Sequence, residues 1–159
     1  HVNFVTIGPT DPVAMKKYVD ECHMMSLPYL YDPAFQIANF TPEVLREGLT
    51  GAALVIGNDY EIALMEQRLH VSHDELIAIV PVLITTLGPK GSIVESGKDA
   101  IHIKPAKVVK VADPTGAGDA YRAGFLASYL GFASSRPGLA KARPGLNKIV
   151  VCRRWKSER

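Results

Sequence analysis

Residues 113–124 read Asp-Pro-Thr-Gly-Ala-Gly-Asp-Ala-Tyr-Arg-Ala-Gly, set between the stretch Val-Val-Lys-Val and the apolar run Phe-Leu-Ala-Ser-Tyr-Leu. The pattern predicts a long helix over residues 116–130, with Gly116, Ala117, Gly118 and Asp119 in its opening turn. A helix start presents unpaired N–H donors and a partial positive field, which suits an anion. Three residues with little or no side chain let their amides converge on such an anion without obstruction. Asp119 then stands beside the anion, and two negative groups side by side repel each other unless a proton moves between them. This suits phosphoryl transfer, the amides stabilising the moving group while Asp119 deprotonates the attacking hydroxyl. The plain alternative is that Asp119 only complements the helix dipole.

Working outward, strand-like and helix-like stretches alternate. Residues 2–8 read as a strand, and Asp11-Pro12 opens a helix with Ala14, Tyr18, Cys22 and Met25 on one face. Residues 27–33 form a short apolar run, and Thr41-Pro42 starts a helix through about Leu49. A buried strand at 52–58 precedes helices at 59–69 and 72–80, the second announced by Ser72 with Glu75 three residues on. Residues 82–88 are a strand, 92–96 and 100–104 a hairpin pair, and 108–114 a further extended segment. Such alternation predicts an α/β fold with a mostly parallel sheet and helices on both faces. Ligands in these sheets bind at the carboxyl ends of the strands.

Four polar clusters leave strands at those ends: Asp32-Pro33, Asn58 to Glu61, Thr86 to Gly91, and Asp113 to Asp119. Each alone has a dull reading as a turn, a helix cap, a hairpin or a first-turn acid. Four together on one edge favour a ligand site.

Asp113-Pro114-Thr115-Gly116-Ala117-Gly118-Asp119-Ala120-Tyr121, with Ala123-Gly124-Phe125, resembles the C-terminal signature of the ribokinase (PfkB) family of sugar and nucleoside kinases. The resemblance implies a ribokinase-like fold and an ATP-dependent phosphotransferase acting on an alcohol group. It also implies that Asp119 is the catalytic base, that the amides of Gly116, Ala117 and Gly118 form the anion hole, and that Asp113 and Thr115 belong to the nucleotide site. Asn58-x-x-Glu61 resembles the element that organises Mg2+ around the phosphates, with Asn58 also near the nucleotide. Thr86-x-Gly88-x-x-Gly91 resembles the turn over the nucleotide phosphates and ribose. The stretch from Ile7 to Gln36 is closer to bacterial adenosine-kinase-type members than to sugar kinases, so the implied acceptor is a nucleoside, adenosine first, with a sugar as the wider class. Only the later half of the family's length has a counterpart here, the implied lid and substrate signature having none. The chain is therefore expected to be inactive alone, with an open sheet edge that favours self-association. The competing reading is a non-catalytic nucleotide-binding or interaction fragment.

Bulk properties are those of an ordinary soluble protein. The 159 residues are 47% apolar and 21% charged, and no apolar run approaches the roughly 20 residues of a membrane-spanning helix. No membrane partner and a cytoplasmic location are expected. The net charge of +2 hides a division. Residues 1–131 carry 10 Lys or Arg against 15 Asp or Glu, and residues 132–159 carry 8 against 1. A boundary near Gly131 thus separates a partial kinase domain, 1–131, from a basic tail, 132–159. Trp155 is the tail's main stacking aromatic and its arginines form no helical stripe, which argues against nucleic acid. Cys22 reads as an inert core thiol, and His70 and His73 read as solvated.

Overall fold

The computed structural model describes residues 3–107 and 115–131. The expected extended segment at 108–114, including Asp113, and the basic tail at 132–159 lie outside the described residues. The chain divides into two compact units, His1–Lys104 and Pro105–Arg159.

The first unit runs β1 (Val5–Ile7), α1 (Pro12–Met24), β2 (Tyr29–Tyr31), α2 (Pro42–Thr50), β3 (Leu54–Asn58), α3 (Asp59–Leu69), α4 (His73–Ile79), β4 (Leu83–Thr86), β5 (Ser92–Ser96) and β6 (Asp99–Ile103). Its six strands stand in chain order, β1 to β4 parallel, with β5 and β6 added antiparallel. The helix boundaries follow from local chemistry. Asp11 and Thr41 cap α1 and α2 ahead of Pro12 and Pro42, and the expected capping box of Ser72 and Glu75 opens α4.

Right-handed crossovers between strands laid down in one direction carry the connecting helices to one face of the sheet. On that face Ile7, Tyr29, Tyr31, Val55 and Leu83 join Met15, Val19, Cys22, Leu45, Leu49, Met65 and Leu76 in one core. Strand alternation sends Leu30, Leu54, Ile56, Ile84 and Val94 to the opposite face, and these are buried as well. A sheet buried on both sides matches the near-continuous apolar reading of residues 52–58. Helix α2 seats closely on β2, where a Cβ at Gly48 would come within 2.6 Å of the Tyr31 ring, and the Tyr29 hydroxyl donates to the Gly48 carbonyl at 2.9 Å.

Two expectations are corrected. The buried stripe of α1 is Met15, Val19 and Cys22, whereas Tyr18 and Met25 are exposed. Ala14 and Tyr18 lie one position from Met15 and Val19, so the expected stripe was rotated by about a residue, roughly 100° around the helix. Cys22 is buried as expected, and burial pushes its thiol up, away from reactivity. His73 is not simply solvated: its Nδ1 meets Glu66 of α3 at 2.6 Å and its Nε2 meets Glu95 of β5 at 3.2 Å.

The second unit contributes α5 (Ala117–Tyr129), which starts one residue after the expected position and carries Tyr121, Phe125 and Tyr129 as a stack with ring centroids 6.4 and 6.1 Å apart.

The His73 clasp sets a pH dependence. Its hydrogen bond to Glu66, and then its contacts with Glu95, raise the imidazole above its ordinary 6.5. Protonation therefore favours the folded state, so the clasp stabilises fully below the unfolded value and fades as pH rises through the folded one. Because His73 is partly exposed, the contribution is on the order of 0.2–1 kcal/mol. Urea unfolding of wild type and His73→Gln is expected to show the largest difference at about pH 6 and a shrinking one towards about pH 8.

Candidate active site

Parallel running brings the carboxyl ends of β2, β3 and β4 to one edge of the first unit. The ladder continues past β2 through the Asp32 N–H, which donates to the Ile7 carbonyl at 2.9 Å. The chain then turns at Pro33 and Ala34, whose φ of 41° is left-handed, into a short 3-10 segment, Ala34–Asn39. At the neighbouring ends Asn58 pairs in register with Thr86. Three of the four expected clusters thus share an edge. The fourth opens α5 in the second unit, with Thr115 to Asp119 described.

Asn58 and Glu61 form a reciprocal pair at the start of α3. The Glu61 N–H donates to Asn58 Oδ1 at 2.8 Å, and the Asn58 N–H donates to Glu61 Oε2 at 2.7 Å. Gly57 makes room for this, since a Cβ there would lie 3.2 Å from the Glu61 Cβ. The cap therefore fixes the glutamate's direction and occupies Oε2, while Oε1 remains for a further partner. It also uses the Asn58 oxygen, which makes Glu61 the better oxygen donor to a cation. In the adjacent strand Thr85 pairs with Gly57, and its buried hydroxyl has no partner among the described residues. Among those residues no group of three His, Cys, Asp or Glu could hold a metal unaided. The Glu61 carboxylate is a hard oxygen donor of the kind Mg2+ takes alongside phosphate and water.

Thr86 leads into the turn joining β4 to β5. Its hydroxyl reaches the Gly57 carbonyl at 3.4 Å. Three backbone bonds close the turn: Leu87 N–H to Gly91 O at 2.8 Å, Lys90 N–H to Leu87 O at 3.1 Å and Gly91 N–H to Gly88 O at 3.1 Å. Gly91 has φ 98° and ψ −133°, a conformation that only glycine adopts without strain. The hairpin reading and the phosphate-turn reading therefore describe the same geometry.

At the start of α5, Gly116 is left-handed (φ 78°, ψ 4°) and the helix follows directly. A left-handed residue ahead of a right-handed one turns the amides of Gly116, Ala117 and Gly118 into a concave set, a shape that receives an anion. The first intrahelical bond is Ala120 N–H to Gly116 O at 2.9 Å, so the earlier amides have no acceptor in the helix. Among the described residues, nothing stands within 4 Å of a Cβ built at Gly116 or Gly118. Asp119 is exposed and its Oδ1 pairs with Arg122, one turn on. Arg122 was not singled out in the sequence, although an acid and a base three apart on a helix are a readable signal. Gln36 was passed over too. Its buried side chain donates to the Thr10 carbonyl at 2.6 Å and accepts from Asn39 at 2.7 Å, bracing the loops after β1 and β2.

One groove of about 800 Å3 lies elsewhere, around the last turns of α1 and α2 where the chain enters β2 and β3, lined by His23, Leu27, Arg46 and Thr50 among others. It holds none of the strand-end residues.

Residues 11–139 match the sequence profile described as pfkB family carbohydrate kinase. The chain belongs to this family. Among PfkB relatives, the nucleoside kinase of Methanocaldococcus jannaschii is 36% identical over 100 residues, 63% of this chain and 33% of that protein. The cytidine kinase of Thermococcus kodakarensis is 33% identical over 94 residues, 55% of this chain and 33% of that protein. The Burkholderia thailandensis nucleoside kinase, solved in complex with inosine, superposes with a TM-score of 0.76 at 30% identity, covering 79% of this chain and 41% of that one. The chain thus spans about a third of the length of these two curated relatives. Among the described residues no helix is long and apolar enough to cross a membrane.

The capping box separates two roles of Asn58. Asn58→Ala is expected to cost about 0.5–2 kcal/mol in urea unfolding, and Asn58→Asp much less, because aspartate keeps the cap. Equal stability in all three proteins would remove the structural role.

Proposed function

We propose that this chain supplies the nucleotide-binding and catalytic part of a Mg2+- and ATP-dependent kinase that phosphorylates a hydroxyl of a nucleoside. The observation that carries the reading is the start of α5, where three amides form an open concave set and an exposed carboxylate follows at once. In this reading the amides of Gly116, Ala117 and Gly118 receive the developing charge on the γ-phosphoryl group. Asp119 accepts the proton of the acceptor hydroxyl as its oxygen attacks phosphorus and ADP departs. Arg122 engages Oδ1, so Oδ2 is the oxygen that takes the proton. Thr86, Gly88 and Gly91, with Asp113 and Thr115, bind the nucleotide. Glu61, oriented by its cap with Asn58, would hold Mg2+, which would supply neutralisation of phosphate charge.

A nucleoside acceptor is supported by relatives named as nucleoside and cytidine kinases and by the solved relative that holds inosine. Phe35 and Tyr60 add to this. Each is largely exposed just after Asp32-Pro33 or Asn58, on the ligand edge, and aromatic faces there offer stacking that a base uses and a bare sugar does not. Adenosine is one acceptor within the class.

In the complete product of the gene, Asp119→Asn is expected to lower turnover by about 10²-fold or more while ATP affinity changes little. A coupled kinase assay with adenosine, inosine, cytidine and ribose, beside calorimetry with ATP, provides both readings. Unchanged turnover would leave Asp119 a first-turn acid, and preference for ribose would overturn the nucleoside assignment.

Magnesium provides a separate test. With at most one or two side-chain oxygens on offer, Mg2+ alone should bind weakly and tighten when ADP or ATP is added. Strong calorimetric binding of Mg2+ without nucleotide would contradict the assignment.

A further inference from the structure

We propose that His102 is a positioning residue for the turn from Thr86 to Gly91, a role that rests on the nucleotide-binding reading of that turn. His102 lies on β6 in register with Ile93 of β5, and its Nε2 is 3.0 Å from the carbonyl oxygen of Lys90. A carbonyl only accepts, so Nε2 carries the proton and the ring donates. The same peptide unit is held at its other end, where the Gly91 N–H donates to the Gly88 carbonyl. Both polar ends of the Lys90–Gly91 peptide are therefore fixed.

That matters because a peptide beside glycine is the one most able to flip. Gly91 tolerates φ of either sign at little cost, so the orientation of this peptide rests on its hydrogen bonds, of which the turn's own backbone supplies the one at Gly91 N–H. The imidazole adds the second bond, at the Lys90 carbonyl, from outside the turn. It belongs to an exposed position of β6, where neither packing nor the ladder asks for a histidine. The bond spans 12 residues and ties the far strand of the hairpin to the turn that joins β4 to β5.

Three proteins decide the matter: wild type, His102→Phe, which keeps a ring on the strand without the donor, and His102→Gln, which keeps a donor. Proton-detected nitrogen spectra of wild type should show the Nε2–H form of His102. Hydrogen exchange of the Leu87, Lys90 and Gly91 amides should be faster in His102→Phe by roughly 2- to 10-fold, the net worth of one hydrogen bond, and largely restored in His102→Gln. The ADP dissociation constant should rise by a similar factor in the Phe variant and less in the Gln variant. The Nδ1–H form in wild type, or identical exchange in all three, overturns the clamp. Equal ADP affinity in the two variants with altered exchange overturns its role at the nucleotide. Wild-type protein that binds no ADP overturns the functional reading instead, and the exchange rates still decide the clamp.

Discussion

Four consecutive strands running the same way constrain nearly everything else in the first unit. Because each crossover returns the chain to the same end of the sheet, each strand leaves at the same edge, and polar residues placed after a strand gather there without further device. Both faces of the sheet are apolar and buried, so the edge is where polarity can be placed without loss. Asp32, Asn58 and Thr86 are distant in sequence and brought together by direction alone. The direction reverses at β5 and again at β6, and the turn from Gly88 to Gly91 makes the first of these reversals: there the chain doubles back at the strand-end edge instead of crossing back beneath the sheet.

Structural and functional readings of the same residue do not compete here as sharply as counting motifs suggests. Asn58 and Glu61 are a helix cap by every distance, yet the cap is what holds the glutamate in one direction with an oxygen left over. Gly88 and Gly91 make a tight reversal, and the reversal is also what presents backbone at the edge. A binding site built on such elements inherits their rigidity, which is the requirement for electrostatic stabilisation without reorganisation. Asp119 differs, being exposed and, among the described residues, paired with Arg122.

Most of the architecture was legible because it depends on local signals: proline after a capping residue, glycine at a left-handed position, and apolar runs of strand length. The six strands of the first unit and the hairpin followed from these, and so did the glycine-rich helix start. What escaped depends on residues far apart in sequence. His73 finds Glu95 only after β5 has folded beside β4, and Gln36 finds Thr10 across two strands. The face of α1 was misjudged for a subtler reason. Tyr18 and Met25 look apolar enough to be core, and on so mixed a helix the choice between adjacent stripes is made by the sheet beneath it. The roles proposed for the candidate site rest on the family pattern, since spacing alone left Asp119 open between cap and base.

The tyrosine pair under α2 has a bearing on how this protein behaves in alkali. Tyr29 and Tyr31 are fully buried, and burial holds both phenols well above their ordinary 10.0. Once the surrounding pH passes that ordinary value, an unfolded chain can shed two protons that the folded chain must keep, so each further step towards alkali favours unfolding. The same tight seating that joins helix to sheet thus gives the core an upper pH boundary. Crossing it would be visible in the ultraviolet as a gain in tyrosinate absorbance, from Tyr29 and Tyr31, over that of the chain's other four tyrosines.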